Sequence, residues 1–121
     1  MIDHIGIRVK DLAASRKFYE AALKPLGYKV VMEVEGHGVG FGTEGHPAFW
    51  ISAGESSGPT HVALVSPDRP KVAAFYQAAM AAGGRDNGGP GLRPHYHPNY
   101  YAAFVFDPDG NNVEAVCHRP E

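Results

Sequence analysis

The sequence predicts an α+β fold in which two paired β-α-β-β-β modules make up one domain of 121 residues. Three observations carry this. Residues 4–27 and 61–84 match one another at a constant offset of 57. An aspartate followed by an apolar stripe opens a helix in each copy. Glycine-punctuated β-like runs then follow each helix. Module one covers about 1–55 and module two about 58–118.

The two copies read HIGIRVKDLAASRKFYEAALKPLG and HVALVSPDRPKVAAFYQAAMAAGG. Seven of 24 positions are identical: His4/His61, Asp11/Asp68, Phe18/Phe75, Tyr19/Tyr76, Ala21/Ala78, Ala22/Ala79 and Gly27/Gly84. Ordinary residue frequencies give about one or two, so the module is duplicated. Each copy opens as a strand, HIGIRV or HVALVS, and reaches an aspartate suited to cap a helix. In the second helix Val72, Phe75, Tyr76, Ala79 and Met80 form one apolar face; in the first, Leu12, Tyr19, Ala22, Leu23 and Leu26 do so less cleanly. Gly27 and Gly84 end the helices. Module one continues with strands near 28–34, 39–42 and 48–53. Module two has an irregular stretch to about residue 99, a strand over 101–106, the turn DPDGNN and a last strand over 113–118. One strand–helix unit leaves a sheet face uncovered, so two units share a curved sheet or pair across a dimer.

Composition narrows the function classes. With 44% hydrophobic and 20% charged residues the chain is globular. Its apolar runs fall short of a membrane helix, and residues 1–9 lack the features of a signal peptide. A formal net charge of −2 offers no basic field for nucleic acid or an anionic membrane. The single cysteine, Cys117, has no internal disulfide partner, which fits a reducing compartment, and the cytoplasm is the expected location.

Glu114 stands in the middle of the last strand, between Val113 and Ala115, which point the other way. An unpaired buried carboxylate costs several kcal/mol, so burial calls for a cation. His4 and His61 occupy the same place in equivalent first strands, and if an approximate two-fold axis relates the modules, their imidazoles can face one another across the cleft. Two histidines and a carboxylate with open positions suit a catalytic divalent metal: Zn, Mn, Fe or Ni.

Together, DHIGIRVKDLAASRKFY, THVAL with its FY helix, and FVFDPDGNNVE resemble the vicinal oxygen chelate superfamily of glyoxalases, bleomycin-resistance proteins and extradiol dioxygenases. The resemblance spans nearly the whole chain. It implies βαβββ modules forming a U-shaped mixed sheet around a cleft, a homodimer, and metal ligands on the first and last strands of each module. By position these are His4, His61 and Glu114. The fourth position falls at Phe49 or Trp50, where glyoxalase I usually carries a carboxylate or glutamine. Three ligands instead look like the extradiol dioxygenases or the fosfomycin-resistance thiol transferases. Gly6 and Phe104 stand where those transferases have a threonine and a tyrosine.

The stretch 83–101 is irregular and rich in arginine, histidine and tyrosine, the make-up of an elaborated functional loop. Arg93 is its candidate clamp for an anionic substrate group, and His97 and Tyr100 are its candidates for proton transfer. Phe49, Trp50 and Tyr101 are candidates to line the cleft. Two functions follow from this residue set. One is a metal-dependent lyase, transferase or dioxygenase acting on a small molecule. The other is a metal-free, ligand-sequestering protein of the bleomycin-resistance type.

Overall fold

The computed structural model describes residues 1–56 and 58–121. Module one runs β1 (Ile5–Val9), α1 (Leu12–Leu23), β2 (Lys29–Val34), β3 (Gly38–Thr43) and β4 (His46–Ala53). Module two runs β5 (His61–Val65), α2 (Arg69–Ala81), β6 (Arg85–Asp86), β7 (Gly91–Leu92), β8 (Tyr101–Phe106) and β9 (Asn112–Cys117). The repeat seen in sequence holds in space, since α1 begins at Leu12 and α2 at Arg69, 57 residues on. Asp11 and Asp68 cap them, accepting from the backbone N–H of Ala14 at 3.0 Å and of Lys71 at 2.9 Å.

Each module folds its own mixed sheet: β1-β4-β3-β2 in one, β5-β9-β8-β6 in the other with β7 also on β8. The first strand of each lies parallel to the last. Within one chain the expected U-shaped sheet is therefore two open sheets. Each helix covers one face of its own sheet, and the helices pack on each other, so a single core runs through both modules. Tyr19 and Phe18 of α1 and Phe75 of α2 are fully buried there. Among the described residues no helix covers the opposite face of either sheet. No described helix is long and apolar enough to cross a membrane.

The helix ends differ between the copies. Gly27 has φ +88, as a left-handed cap requires. In module two that conformation belongs to Gly83, at φ +98, one position before the aligned Gly84. Gly84 is needed for space instead: a Cβ there would lie 2.5 Å from Val105 Cγ1 and 2.9 Å from Phe18 Cε1.

The irregular stretch after α2 is more ordered than its composition predicts. It is the counterpart of β2, broken in two. Arg85 and Asp86 pair with Phe106 and Val105; Gly91 and Leu92 pair with Ala102 and Tyr101. Between the pieces the backbone still bonds Phe104, from Asn87 N–H and to Gly88 C=O. The departure from the ladder lies at Gly89–Pro90, where proline has no N–H to give.

Candidate active site

Strand alternation sorts the side chains of β9 cleanly. Val113, Ala115 and Cys117 face the helix-covered core, while Asn112, Glu114 and Val116 face the open side. Cys117 is thus a buried core thiol. Glu114 is only 1% exposed although no described helix lies on its sheet face. What covers it is the chain's own 93–100 turn, whose Tyr100 hydroxyl donates to Glu114 Oε2 in a very short hydrogen bond. The other oxygen, Oε1, lies 2.7 Å from His61 Nε2. His61 sits at the start of β5 with its side chain 54% exposed. Its neighbour in the parallel ladder is Asn112, and Glu114 pairs with Ala63.

The register settles the position equivalent to Glu114. Gly6 pairs with Trp50 in module one, Ala63 pairs with Glu114 in module two, and Gly6 and Ala63 are 57 apart. Trp50 therefore takes the carboxylate's place in the first sheet. Its indole lies across Gly40, where an added Cβ would stand 3.0 Å from Trp50 Cε2. Phe49 points the other way, into the core at 1% exposure, with its ring 5.0 Å from that of Tyr19. Its ring faces Tyr19 rather than a cleft, because the alternation that turns Trp50 outward turns Phe49 inward.

His4 precedes β1 on the first sheet. Its Nδ1 lies 2.7 Å from Asp3 Oδ1, and Asp3 also holds His46 through its backbone carbonyl at 3.1 Å. The structure brings His61 and Glu114 together and leaves His4 with the other module. Among the described residues no three His, Cys, Asp or Glu side chains of one chain gather as a metal site. An imidazole nitrogen beside a buried carboxylate is a donor pair suited to a divalent ion. One chain thus brings together two of the three residues expected from the sequence, His61 and Glu114.

Around this pair the loop residues take distinct places. Arg93 stacks over Phe104, 5.3 Å to the ring centroid, and donates to the carbonyls of Gly91 at 2.9 Å and Gly89 at 2.8 Å. Phe104 pairs directly with Glu114 across β8 and β9, so Arg93 lies on the sheet face that Glu114 takes. His97 is exposed, its Nδ1 accepting from Asn99 N–H at 3.2 Å. Tyr101 packs on the helix side of β8, under the Arg69 guanidinium, and lines a separate hollow with Asp68 and Ala73. Burial, and then the bond to Glu114, push the Tyr100 hydroxyl up to about 12. At neutral pH it therefore keeps its proton and donates it.

Asn112 was not singled out by the sequence, although its place two residues before Glu114 puts it on the same face. Its Oδ1 is buried and has no hydrogen-bond partner. With Asn87, Gly88, Arg93, His95, Tyr96 and Phe104 it lines a cavity of about 340 Å³.

The chain matches the family model of the Glyoxalase/Bleomycin resistance protein/Dioxygenase superfamily over residues 1–115, and it belongs to that superfamily. A glyoxalase/bleomycin resistance protein from Albidiferax ferrireducens T118 is 26% identical, with 98% of each chain covered and a TM-score of 0.78. A family enzyme from Burkholderia phytofirmans PsJN is 20% identical, again over 98% of each chain, with a TM-score of 0.73. A lactoylglutathione lyase from Agrobacterium tumefaciens shares the fold at 18% identity and TM-score 0.70, over 97% of this chain and 92% of its own. A search of the curated proteins finds no match.

Proposed function

We propose that this protein is a metal-dependent enzyme acting on a small molecule, a lyase, transferase or dioxygenase, in which His61 and Glu114 of one chain and His4 of a second copy hold a divalent ion. The observation that carries this is Glu114, a carboxylate 1% exposed yet aimed at an imidazole on the open face of its sheet. A buried carboxylate is expensive to keep without a positive partner. His4 sits on the sister sheet at the place His61 has on its own, so a two-fold homodimer that sets the first sheet of one chain against the second of the other supplies the third donor.

Bound there, Zn, Mn, Fe or Ni supplies Lewis-acid stabilisation of a substrate oxyanion or, when redox-active, dioxygen activation. The chain's own residues provide the rest. Tyr100, holding its proton, fixes the orientation of the Glu114 carboxylate. His97 Nδ1 accepts a backbone N–H, which leaves Nε2 as the ring atom that can exchange a proton with a substrate. Trp50, on the open face of the first sheet, offers an apolar wall. Cys117, buried, fits a reducing compartment, and the cytoplasm is the proposed location.

One observation favours a second reading, a metal-free protein that sequesters its ligand in the same cleft. Glu114 already has two partners within the chain, His61 and Tyr100. Metal content separates the two. Untagged protein is incubated with Mn, Fe, Ni or Zn, dialysed without chelator and analysed beside Glu114→Gln and His4→Ala. About one ion per chain, lost in both variants, is the expected result. No ion in any sample overturns the enzyme reading and leaves the sequestering one.

A further inference from the structure

We infer that the cavity beside Glu114 is a subsite for a small organic anion that carries a hydrogen-bond donor next to its carboxylate, with Arg93 taking the carboxylate and Asn112 Oδ1 accepting the donor. This deepens the proposed function, and the subsite serves the reaction only if that reading holds. Its binding chemistry stands on its own observations.

The first is the state of Arg93. Its two bonds to the Gly89 and Gly91 carbonyls, together with Phe104 beneath it, lock the guanidinium in place at the cavity wall. Two of the five N–H donors are used, and three remain. No carboxylate stands within ion-pair distance of it among the described residues, although Arg16 has two and Lys71 one. A rigid, charged fork with open donors recognises a planar anion at little entropic cost.

The second is Asn112. A buried acceptor with no partner is uncommon and costly. Asn112 Oδ1 is such an atom, on a residue that lines the same cavity as Arg93. An acceptor rejects the bare anion and welcomes an N–H or O–H, so it selects a ligand whose donor lies beside its charged end. The third is the wall. Phe104 and Tyr96 supply aromatic surface, and about 340 Å³ is the lower range of ligand sites. Anion, neighbouring donor and apolar body together define the ligand class.

N-benzoylglycine has all three features, and N-benzoylglycinamide lacks only the charge. Both are titrated into isotope-labelled protein in the presence of chelator, following the backbone amides of Gly88, Arg93 and Asn112. The expected result is saturable shifts at those amides with the acid and at least roughly tenfold weaker binding of the amide. Arg93→Met and Asn112→Asp are each expected to weaken the acid by about tenfold or more. Asn112→Asp is nearly isosteric and leaves the Gly89 and Gly91 contacts in place, so it reports even where Arg93→Met disorders the loop. Equal binding of acid and amide overturns the inference, as does unchanged affinity in Asn112→Asp, or no shift with the acid at tens of millimolar. Because chelator is present, loss of the metal reading leaves this result intact; metal binding without acid binding removes only the subsite.

Discussion

The Tyr19 hydroxyl, on the helix of module one, donates to Asp107 Oδ2 of module two at 2.5 Å, and both groups are buried. Asp107 is the first residue of the DPDG turn. Its Oδ1 also accepts from the backbone N–H groups of Asp109 and Asn111, and its Oδ2 from the Asn111 side chain. Asn111 in turn accepts from Thr60 N–H just before β5. One carboxylate thus locks the turn that launches β9, ties it to the start of β5, and anchors both to the other module. The placement of His61 beside Glu114 depends on that arrangement.

Tyr19→Phe removes the donor and leaves Asp107 short of one partner inside the core. The expected loss is about 1–3 kcal/mol of stability, read as a lower urea midpoint with an unchanged slope.

Burial, and then the Asp107 charge, hold the Tyr19 hydroxyl well above its ordinary value of 10.0. The folded state therefore keeps a proton that the unfolded chain releases first. Tyr19's contribution is fully present below pH 10.0 and declines as pH rises from there toward the higher folded value. Denaturant midpoints taken across this range fall for the wild type. In Tyr19→Phe the fall is shallower.

Trp50 is the single tryptophan, so its emission reports the open face of the first sheet. A methyl at Gly40 would meet Pro47 Cβ at 2.7 Å and the indole at 3.0 Å. Gly40→Ala is expected to displace the ring, shift the emission and cost about 1–3 kcal/mol. Gly42→Ala is expected to cost more, because its Cβ would lie 1.8 Å from the His46 backbone oxygen at the bulge.

Substitutions at His4 and His61 test the proposed metal site apart from stability. Substituting His4, exposed at the sheet edge, is expected to change stability by about 0.5 kcal/mol or less while abolishing metal binding. His61→Leu takes one of two partners from a buried carboxylate and is expected to cost about 1–3 kcal/mol as well. Thermal melts beside metal titrations check both; a His4 variant that binds metal normally removes it from the ligand set.

Gly84→Ala tests the spatial role of that glycine. The new methyl would meet Val105, Phe18 and the Ala79 carbonyl within 3 Å, and the expected loss is about 1–3 kcal/mol or more. A neutral effect on the melting midpoint would show that the helix junction yields.

Much of the fold was legible in the chain because its determinants are local and repeated. The aspartate caps, the apolar helix stripes and the DPDG turn each act within a few residues, and the offset of 57 carries them from one module to the other. Alternation along β9 likewise places Cys117 in the core and Glu114 on the open face. The broken strand β6–β7 escaped because two-residue pieces around Gly89–Pro90 carry no period.

Tertiary structure decided what the local signals leave open. Sequence determined the duplicated modules and which residue types reach each face. Only the folded chain joined Glu114 to His61 and Tyr100, set Trp50 rather than Phe49 at the equivalent place, and left His4 on the other sheet. Strand pattern fixes the face a side chain takes, because it depends on backbone pleat alone. Partners across a sheet depend on register and on how two sheets are set against each other, which arise from long-range packing.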